Sequence, residues 1–193
     1  MLNHTGTITL KTDRLILRRV EFNDIYDISR WKSDKDVSKN MAWSKVGSLM
    51  EVGEHLNYWL EQYETSKDFY LWGIALKENG KLMGRIKITA INNLALSGEL
   101  DYCLAKEYWG KGYVTEAAKK IIEYAFEEVG FNRIFAEHIV GNEASGKIMK
   151  KCNMQYEGLL RQVLKNELGF FDCKLYAILK EDYDANKRED GVK

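Results

Sequence analysis

The chain is poor in residues that cross-link a fold or rigidify its backbone. Proline is absent from the 193 residues, against an average of about 5%, and we attach no function to this absence. Only three cysteines occur, Cys103, Cys152 and Cys173, at unrelated spacings. An odd number without a Cys-x-x-Cys pair argues against a disulfide framework and against a zinc site, and it is typical of a reducing cytosol.

Excess charge and long apolar runs are also missing. Lysine plus arginine (29) balances aspartate plus glutamate (29), so bulk charge indicates neither nucleic acid nor an acidic membrane as a partner. No run approaches the ~20 apolar residues of a membrane helix, and Met1 to Leu10 does not resemble a signal peptide. The histidines lack metal-ligand spacing, so no metal is predicted; they are His4, His55 and His138. We therefore expect a soluble cytoplasmic protein.

The remaining pattern is that of one globular domain. We predict a single domain over residues 1–183 and a charged, frayed tail over residues 184–193. The predicted fold class is α/β (α+β), with a mixed, mostly antiparallel sheet of about seven strands and flanking helices. The strands are predicted over residues 14–18, 69–76, 82–91, 99–104, 133–140, 156–163 and 170–179. Residues 99–140 form one central βαβ unit, which follows an antiparallel meander.

A glycine turn near the middle of the chain is the strongest local signal. From Tyr108 to Ala117 the sequence reads Tyr-Trp-Gly-Lys-Gly-Tyr-Val-Thr-Glu-Ala, between a predicted strand and a predicted helix. This arrangement places several backbone N–H groups and the positive end of a helix dipole around one point, which favours the phosphates of a cofactor. The plainer interpretation is that Gly110 and Gly112 only permit a tight turn.

Two familiar phosphate-binding motifs do not fit this turn. A P-loop requires Gly-Lys-Ser/Thr after a four-residue gap, and that sequence is missing. A dinucleotide-binding turn expects a third glycine where Thr115 stands. It also follows the first strand of a parallel sheet, whereas this turn follows an antiparallel meander.

The order of several motifs resembles the GNAT acetyltransferase superfamily. Glu99-Leu100-Asp101-Tyr102 precedes the glycine turn, and Asn142-Glu143-Ala144-Ser145 follows it. The chain is most similar to the ribosomal-protein N-terminal acetyltransferase branch (RimJ/RimL-like), from its opening strand, Thr12 to Arg18, to about residue 183. The superfamily pattern Gln/Arg-x-x-Gly-x-Gly/Ala matches at Gly112. It departs at residues 109 and 114, although Trp-Gly-Lys-Gly-Tyr is typical of the branch.

The resemblance implies that acetyl-CoA binds at this turn. Backbone N–H groups hold phosphates, so the two departures matter little for binding. The implied contacts form three groups along the cofactor. The pyrophosphate would be held by the backbone amides of Gly110, Lys111, Gly112, Tyr113, Val114 and Thr115. The pantetheine arm would pair with a strand edge that splays from the next strand, formed by Tyr102, Cys103 and Leu104. Asn142 and Ser145 would lie beside the pantetheine or the adjoining phosphate.

Acetyl transfer to an amine requires a base for the nucleophile and an acid for the thiol. Glu99 is the candidate base, because it aligns with the acidic residue of the branch, and Asp101 is the second choice. The plainer interpretation of Glu99 is a strand-edge carboxylate that faces solvent. Many superfamily members use as acid a tyrosine that is replaced here by Met149. Ser145 is the candidate acid instead, and its plainer role is helix-start polarity or a cofactor contact.

The acceptor is not identified by the sequence. Met41 and Trp43, in an irregular segment, are candidate acceptor-pocket residues. The expected amine is a protein N-terminal α-amine or a small-molecule amine. The predicted closing hairpin could support a homodimer. A covalent acetyl-cysteine is disfavoured, because Cys152 would lie at the wrong end of a helix dipole for activation. The rival function is a non-catalytic acyl-CoA-binding or regulatory module on the same fold.

Overall fold

The computed structural model describes residues 1–41 and 48–191. Within them, eight strands form one sheet in the order β1-β2-β3-β4-β5-β6-β8-β7. The strands are β1 (Leu10–Lys11), β2 (Leu15–Arg18), β3 (Tyr70–Leu76), β4 (Leu82–Asn92), β5 (Ser97–Leu104), β6 (Arg133–Ile139), β7 (Gln155–Asn166) and β8 (Gly169–Leu179). The helices are α1 (Ile25–Lys32), α2 (Lys35–Ser38), α3 (Leu49–Thr65), α4 (Tyr113–Tyr124), α5 (Glu143–Lys151) and α6 (Lys180–Gly191).

The predicted mixed sheet and its βαβ unit are confirmed, with one strand more than expected. β5 and β6 pair in parallel, and α4 connects them, whereas the other neighbouring strands pair antiparallel. The additional strand is β1, whose two residues pair with Leu17 and Ile16 of β2. Two residues are too few to show a period of two, so the sequence pattern missed this strand.

Turn and cap residues behave as their chemistry predicts. Ser48 and Glu51 form a reciprocal capping box at the start of α3, which satisfies two backbone donors. Gly80 adopts φ +72° in the tight turn between β3 and β4, a conformation that costs other residues about 1 kcal/mol or more. Asn153 takes the left-handed conformation just beyond α5, with φ +59°.

The sheet has a separate apolar core on each face. One core contains Trp72 of β3 and Ile121 of α4, both fully buried. The other contains Trp31 of α1 and Leu56 of α3. β5 lies between the two cores, and Cys103 faces the second of them. Because both faces of the sheet are covered, β5 and its neighbours are held rigidly where they form the site.

The charged tail differs from its prediction. Residues 184–191, expected to fray, continue α6. The helix is anchored on Glu127, whose carboxylate accepts hydrogen bonds from the Tyr183 hydroxyl at 2.7 Å and from Lys187 Nζ at 2.5 Å. The pair Lys180–Asp184 adds an i,i+4 contact at 2.5 Å.

The single-domain interpretation stays a prediction. None of the helices in the described part of the chain combines the length and the apolar character that a membrane span requires.

Candidate functional site

The parallel strands β5 and β6 separate after three paired positions. The pairs are Ser97 with Arg133, Gly98 with Ile134, and Glu99 with Phe135. Beyond them β5 continues to Leu104, bonded to β4 on its other edge, and β6 continues alongside β8. Within residues 1–41 and 48–191, the edge of β5 from Leu100 to Leu104 therefore has no strand on its β6 side. We call this opening the fork; its exposed N–H and C=O groups are those that an extended ligand would pair with.

The fork opens into a cavity of about 580 Å³, which extends to the start of α4. Cavities of this size hold small-molecule and cofactor ligands. It brings together most of the residues selected from the sequence, although they come from separate elements. Its walls include Met41, Glu99, Asp101, Tyr102, Cys103, Leu104, Gly110, Gly112, Tyr113, Val114, Thr115, Asn142 and Ser145.

The glycine turn presents backbone donors to this cavity. Gly110 and Gly112 have φ values of +74° and +80°, so both occupy the left-handed region that favours glycine. The first bond of α4 runs from the N–H of Glu116 to the carbonyl of Gly112 at 3.1 Å. Among the described residues, the N–H groups from Gly110 to Thr115 have no acceptor. Unpaired N–H groups at a helix N-terminus form an anion site.

Arg14 holds the back of the turn. Its Nη1 donates to the carbonyl of Lys111 at 3.0 Å, and its Nε donates to Glu116 Oε2 at 2.7 Å. The Thr12 hydroxyl donates to the other oxygen of Glu116 at 2.6 Å. The Arg14 guanidinium also lies 4.5 Å from the centre of the Tyr113 ring. These contacts occupy the carbonyl of Lys111 and tie the turn to the opening strand.

The basic side chains near the turn are not equivalent. Lys147 and Lys151 of α5 line the cavity. Lys111 is not part of the wall; its Nζ lies 5.4 Å from the centre of the Tyr108 ring. Trp109 ties the turn to β5, because its Nε1 donates to the carbonyl of Leu104 at 2.7 Å. The cations placed to meet a phosphate are therefore on α5 rather than in the turn.

Glu99 lies at the origin of the fork and is half-buried. Burial raises the pKa of its carboxyl to about 7, with the negative charges of Asp101 and Glu137 adding to the effect. Lys87 acts in the opposite direction and does not cancel it. A carboxyl with a pKa near the operating pH is suited to accept and return a proton.

Asp101, the second candidate base, is paired with two cations, unlike Glu99. Arg85 Nη1 and Lys87 Nζ lie 3.2 Å and 3.1 Å from the same carboxylate oxygen, Oδ2. Burial alone would raise the pKa of Asp101, but the charges and hydrogen bonds of these two cations hold it below its ordinary value. A carboxylate kept ionised by two partners is a weak base. The electrostatics favour Glu99 over Asp101 for proton transfer.

The start of α5 brings two hydroxyls together beside the fork. Asn142 caps the helix, and its Oδ1 accepts from the N–H of Ser145 at 3.4 Å. The Ser145 Oγ lies 2.8 Å from the hydroxyl of Tyr102 on β5. Burial raises the pKa of the Tyr102 phenol, so it stays protonated. Met149, at the position where many superfamily members have a tyrosine acid, is a buried core residue.

The far end of the cavity is apolar and contains one of the two predicted acceptor-pocket residues. Met41 lines it together with Val37 of α2 and Leu164 of β7. The side chain of Asn166 joins the two segments, because its Nδ2 donates to the carbonyl of Met41 at 3.2 Å. Trp43 lies outside the described residues.

Two residues of the site were missed by the sequence analysis. Arg14 was assigned only to the opening strand, and nothing local indicated that it would reach Glu116, 102 positions away. Glu137 lies on β6 and lines the cavity beside Glu99. The signal that identifies Glu137 is strand alternation: two positions after Phe135, which pairs with Glu99, it must face the same side.

The three thiols offer no activated nucleophile. Cys103, Cys152 and Cys173 are all buried. Burial raises the pKa of Cys152 and of Cys173 to about 12 and also raises that of Cys103. A thiol with so high a pKa has almost no reactive thiolate at neutral pH.

Comparison with known proteins agrees with this arrangement. The family profile described as "Acetyltransferase (GNAT) domain" matches residues 14–155. The chain is 29% identical over 171 residues to "Uncharacterized N-acetyltransferase YoaA" of Bacillus subtilis, covering 89% of this chain and 96% of that protein. It is 34% identical over 109 residues to "Putative ribosomal N-acetyltransferase YdaF" of the same organism, covering 56% and 60%. A GNAT acetyltransferase structure from Bacillus anthracis superposes with a TM-score of 0.78 at 26% identity, covering 90% and 99%.

Proposed function

The chain belongs to the GNAT acetyltransferase family, and we propose that it transfers the acetyl group of acetyl-CoA directly to a primary amine. The observation that carries this proposal is the fork, which opens immediately after Glu99 and leads to the unpaired amides of the glycine turn. One end of the cavity therefore suits an anionic phosphate chain, and the other end holds a titratable carboxyl. The acceptor would enter at that second end.

The residues fit acetyl-CoA as the donor substrate. The amides of Gly110 to Thr115 would hold the pyrophosphate, with Lys147 and Lys151 beside it. The free edge from Leu100 to Leu104 would pair with the pantetheine amides. When bound, acetyl-CoA supplies an activated thioester carbonyl. No residue of this chain is then required to carry the acetyl group.

Glu99 would take the proton from the attacking amine. An α-amine with a pKa near ~8 costs about 1.4 kcal/mol to deprotonate at pH 7, and a lysine near ~10.4 costs about 4.6 kcal/mol. A base with a pKa of about 7 can accept the proton of the α-amine at little cost in free energy. Either amine is within reach of one base, so it is the name of the ribosomal relative, and not this arithmetic, that favours a protein N-terminal amine as the acceptor.

Ser145 would return a proton to the departing thiol, and Tyr102 would orient it. The 2.8 Å contact between their hydroxyls would hold the Ser145 Oγ in place, while the Tyr102 phenol keeps its own proton. This pair offers a hydroxyl donor in a chain whose Met149 cannot act as an acid. A hydroxyl donor at this place supports the catalytic proposal over a non-catalytic binding module.

Steady-state kinetics with an amine panel test the proposal. Acetyl-CoA consumption is measured over N-terminal peptides, amino acids, polyamines and aminoglycosides. We expect intersecting double-reciprocal plots, which indicate a ternary complex, and an unchanged rate, within about twofold, for Cys152→Ala. Parallel plots together with an acetylated cysteine would contradict direct transfer. Tight CoA binding without thiol release on any amine would revive the binding module.

A further inference from the structure

The fork holds two carboxyls, of which the reaction above uses only one. Glu99 on β5 and Glu137 on β6 both line the cavity and both are half-buried. Phe135 pairs directly with Glu99, and Glu137 lies two residues further along β6, on the same face of the sheet. Because the strands diverge beyond that pair, the space between the two carboxyls is open to a ligand.

Neither carboxyl has a partner in the part of the chain that the structure describes. Most other acidic groups beside the cavity or the turn are paired: Asp101 contacts Arg85 and Lys87, and Glu116 contacts Arg14. Because neither carboxyl is committed to another described residue, both are available to a cation that enters the cavity. Because both carboxyls lie at the acceptor end of the cavity, the group that they would bind is the positive charge of the acceptor.

We propose that Glu137 is an acceptor-binding residue, which together with Glu99 holds the ammonium group of a monocationic primary amine at the origin of the fork. This inference rests on the proposed acetyl transfer and names its substrate class. Glu99 would then take one proton from the held ammonium, while Glu137 keeps the group in place. Glu137 therefore acts in binding and selection rather than in proton transfer.

The charge balance of the acceptor end favours a single positive charge. The described residues there supply two cations, Arg85 and Lys87, and three carboxylates, Glu99, Asp101 and Glu137. When all are ionised, the net charge is one negative unit, which one ammonium neutralises. A polyamine would bring two or more positive charges to a site that compensates one. An α-carboxylate beside the amine would leave the excess negative charge in place.

The neighbouring wall indicates the rest of the acceptor. Val37, Met41 and Leu164 give the cavity an apolar side beyond the two carboxyls. An apolar group next to the amine would be buried there, at about 25 cal/mol per Å² of apolar surface. The occupant that fits is a primary amine with a neutral, apolar neighbour, as at the N-terminus of a peptide.

The pKa values of the two acids are consistent with this arrangement. Burial raises the pKa of Glu137 as it does that of Glu99. Glu99 faces Asp101 on its own strand, Lys87 on β4, Glu137 on β6 and the buried thiol of Cys173 on β8. Since the charge of Glu137 favours the protonated form of Glu99, removal of that charge must lower the pKa of Glu99.

Glu137→Gln tests the inference by kinetics, with Glu123→Gln on the surface of α4 as the matched control. We expect KM for the dipeptide amide Ala-Leu-NH2 to rise about 10- to 100-fold, the effect of losing one charge-assisted hydrogen bond. At high pH, kcat should change less than about threefold, and the acid limb of kcat/KM should move to lower pH. An unchanged KM with an unmoved acid limb would overturn the inference.

Direct binding separates this inference from the proposed function. Calorimetry with the protein saturated with CoA measures the affinity of Ala-Leu-NH2 without turnover. We expect binding by the wild type, about 10- to 100-fold weaker binding by Glu137→Gln, and none for N-acetyl-Ala-Leu-NH2, which lacks the cation. Loss of affinity in Glu137→Gln without any turnover in the wild type would refute acetyl transfer and retain the ammonium site. Equal affinity in both proteins, or tighter binding of spermidine, would refute the site.

A second variant covers a failure of Glu137→Gln to fold. Glu137→Asp keeps the charge and withdraws it by one methylene. Its melting temperature is compared first with that of the wild type. We expect an intermediate KM and an acid limb closer to that of the wild type, because the negative charge remains near Glu99. A KM equal to that of the wild type in a folded Glu137→Asp would count against a positioned contact.

Discussion

The hydroxyl of Tyr102 lies 2.8 Å from the Oγ of Ser145 and joins β5 to α5 beside the fork. The same phenol also donates to the Ser145 main-chain carbonyl at 3.3 Å. Ser145 is held from its other side, since its N–H donates to the capping Asn142. Two of these contacts hold the main chain of Ser145, and the third positions its hydroxyl. This rigidity is the property that a positioned proton donor requires.

Removal of the Ser145 hydroxyl should slow turnover. We expect Ser145→Ala to lower kcat about 100-fold, the usual contribution of a general acid, with Kd for acetyl-CoA changed less than about threefold. Tyr102→Phe should lower kcat about 10-fold, since it leaves Ser145 in place without its partner. Tyr156→Phe, at an exposed tyrosine of β7, is the control. Wild-type kcat in Ser145→Ala would exclude the hydroxyl as the acid.

The pH dependence of the rate should report Glu99. Because its pKa is about 7, the wild-type kcat/KM should rise through pH 7 as the carboxylate forms. Glu99→Gln should lower the rate about 100-fold or more near pH 7 and less above pH 9, where free amines deprotonate unaided. Stopped assays from pH 5 to 10 measure both. A mutant with full activity at every pH would remove Glu99 as the base.

Glu99→Gln, which should lower the rate, should raise the free energy of unfolding. The folded-state pKa of Glu99 is raised, so the protonated form stabilises the fold at low pH, and this stabilisation is lost as the pH rises through about 7. The amide introduced by Glu99→Gln stays neutral at every pH. We expect this variant to exceed the wild type by on the order of 1–3 kcal/mol at pH 8, after solvent screening, and to match it near pH 4. Urea titrations at both pH values measure the difference; equal stability at pH 8 would contradict the raised pKa.

The glycine turn can be separated from backbone strain by a matched pair. Gly112 and Gly80 have φ values of +80° and +72°, so alanine should cost each about 1 kcal/mol of stability. Only Gly112 lies at the proposed phosphate site, and we expect Gly112→Ala alone to weaken acetyl-CoA binding, by about tenfold. Calorimetry gives Kd, and thermal unfolding gives stability. Equal acetyl-CoA affinity in the two variants would refute the amide cradle.

Arg14 should contribute to cofactor affinity without contact with the cofactor. Arg14→Ala removes the side-chain donors to the carbonyl of Lys111 and to Glu116 Oε2, so the turn is held less firmly. We expect Kd for acetyl-CoA to rise about 5- to 10-fold, with little change in KM for the amine. Arg19→Ala, which breaks the exposed pair with Glu64, is the control. A double-mutant cycle with Glu116→Gln would show no coupling if the contact were incidental.

The fold and the glycine-turn end of the candidate site could be predicted from local sequence. The glycine turn, the helix after it and the strand before it each have their own periodicity or backbone requirement. The hairpin turn at Gly80 and the cap at Ser48 are likewise set by local residues, a glycine with positive φ and a capping box. Strand β1 was missed because two residues carry no period. The helical tail was missed because its anchor, Glu127, lies more than 50 positions away.

The sequence by itself determined the order of elements and the glycine turn, and it proposed Glu99 as a candidate base, because these depend on local patterning and on a resemblance carried by short motifs. Only the tertiary structure separated the electrostatics of Glu99 and Asp101, since two cations on β4 hold the pKa of Asp101 down, whereas the pKa of Glu99 is raised. It also brought Glu137 beside Glu99 and Tyr102 beside Ser145. Those juxtapositions join residues more than 35 positions apart, and they arise from strand divergence and helix packing, which no local pattern encodes.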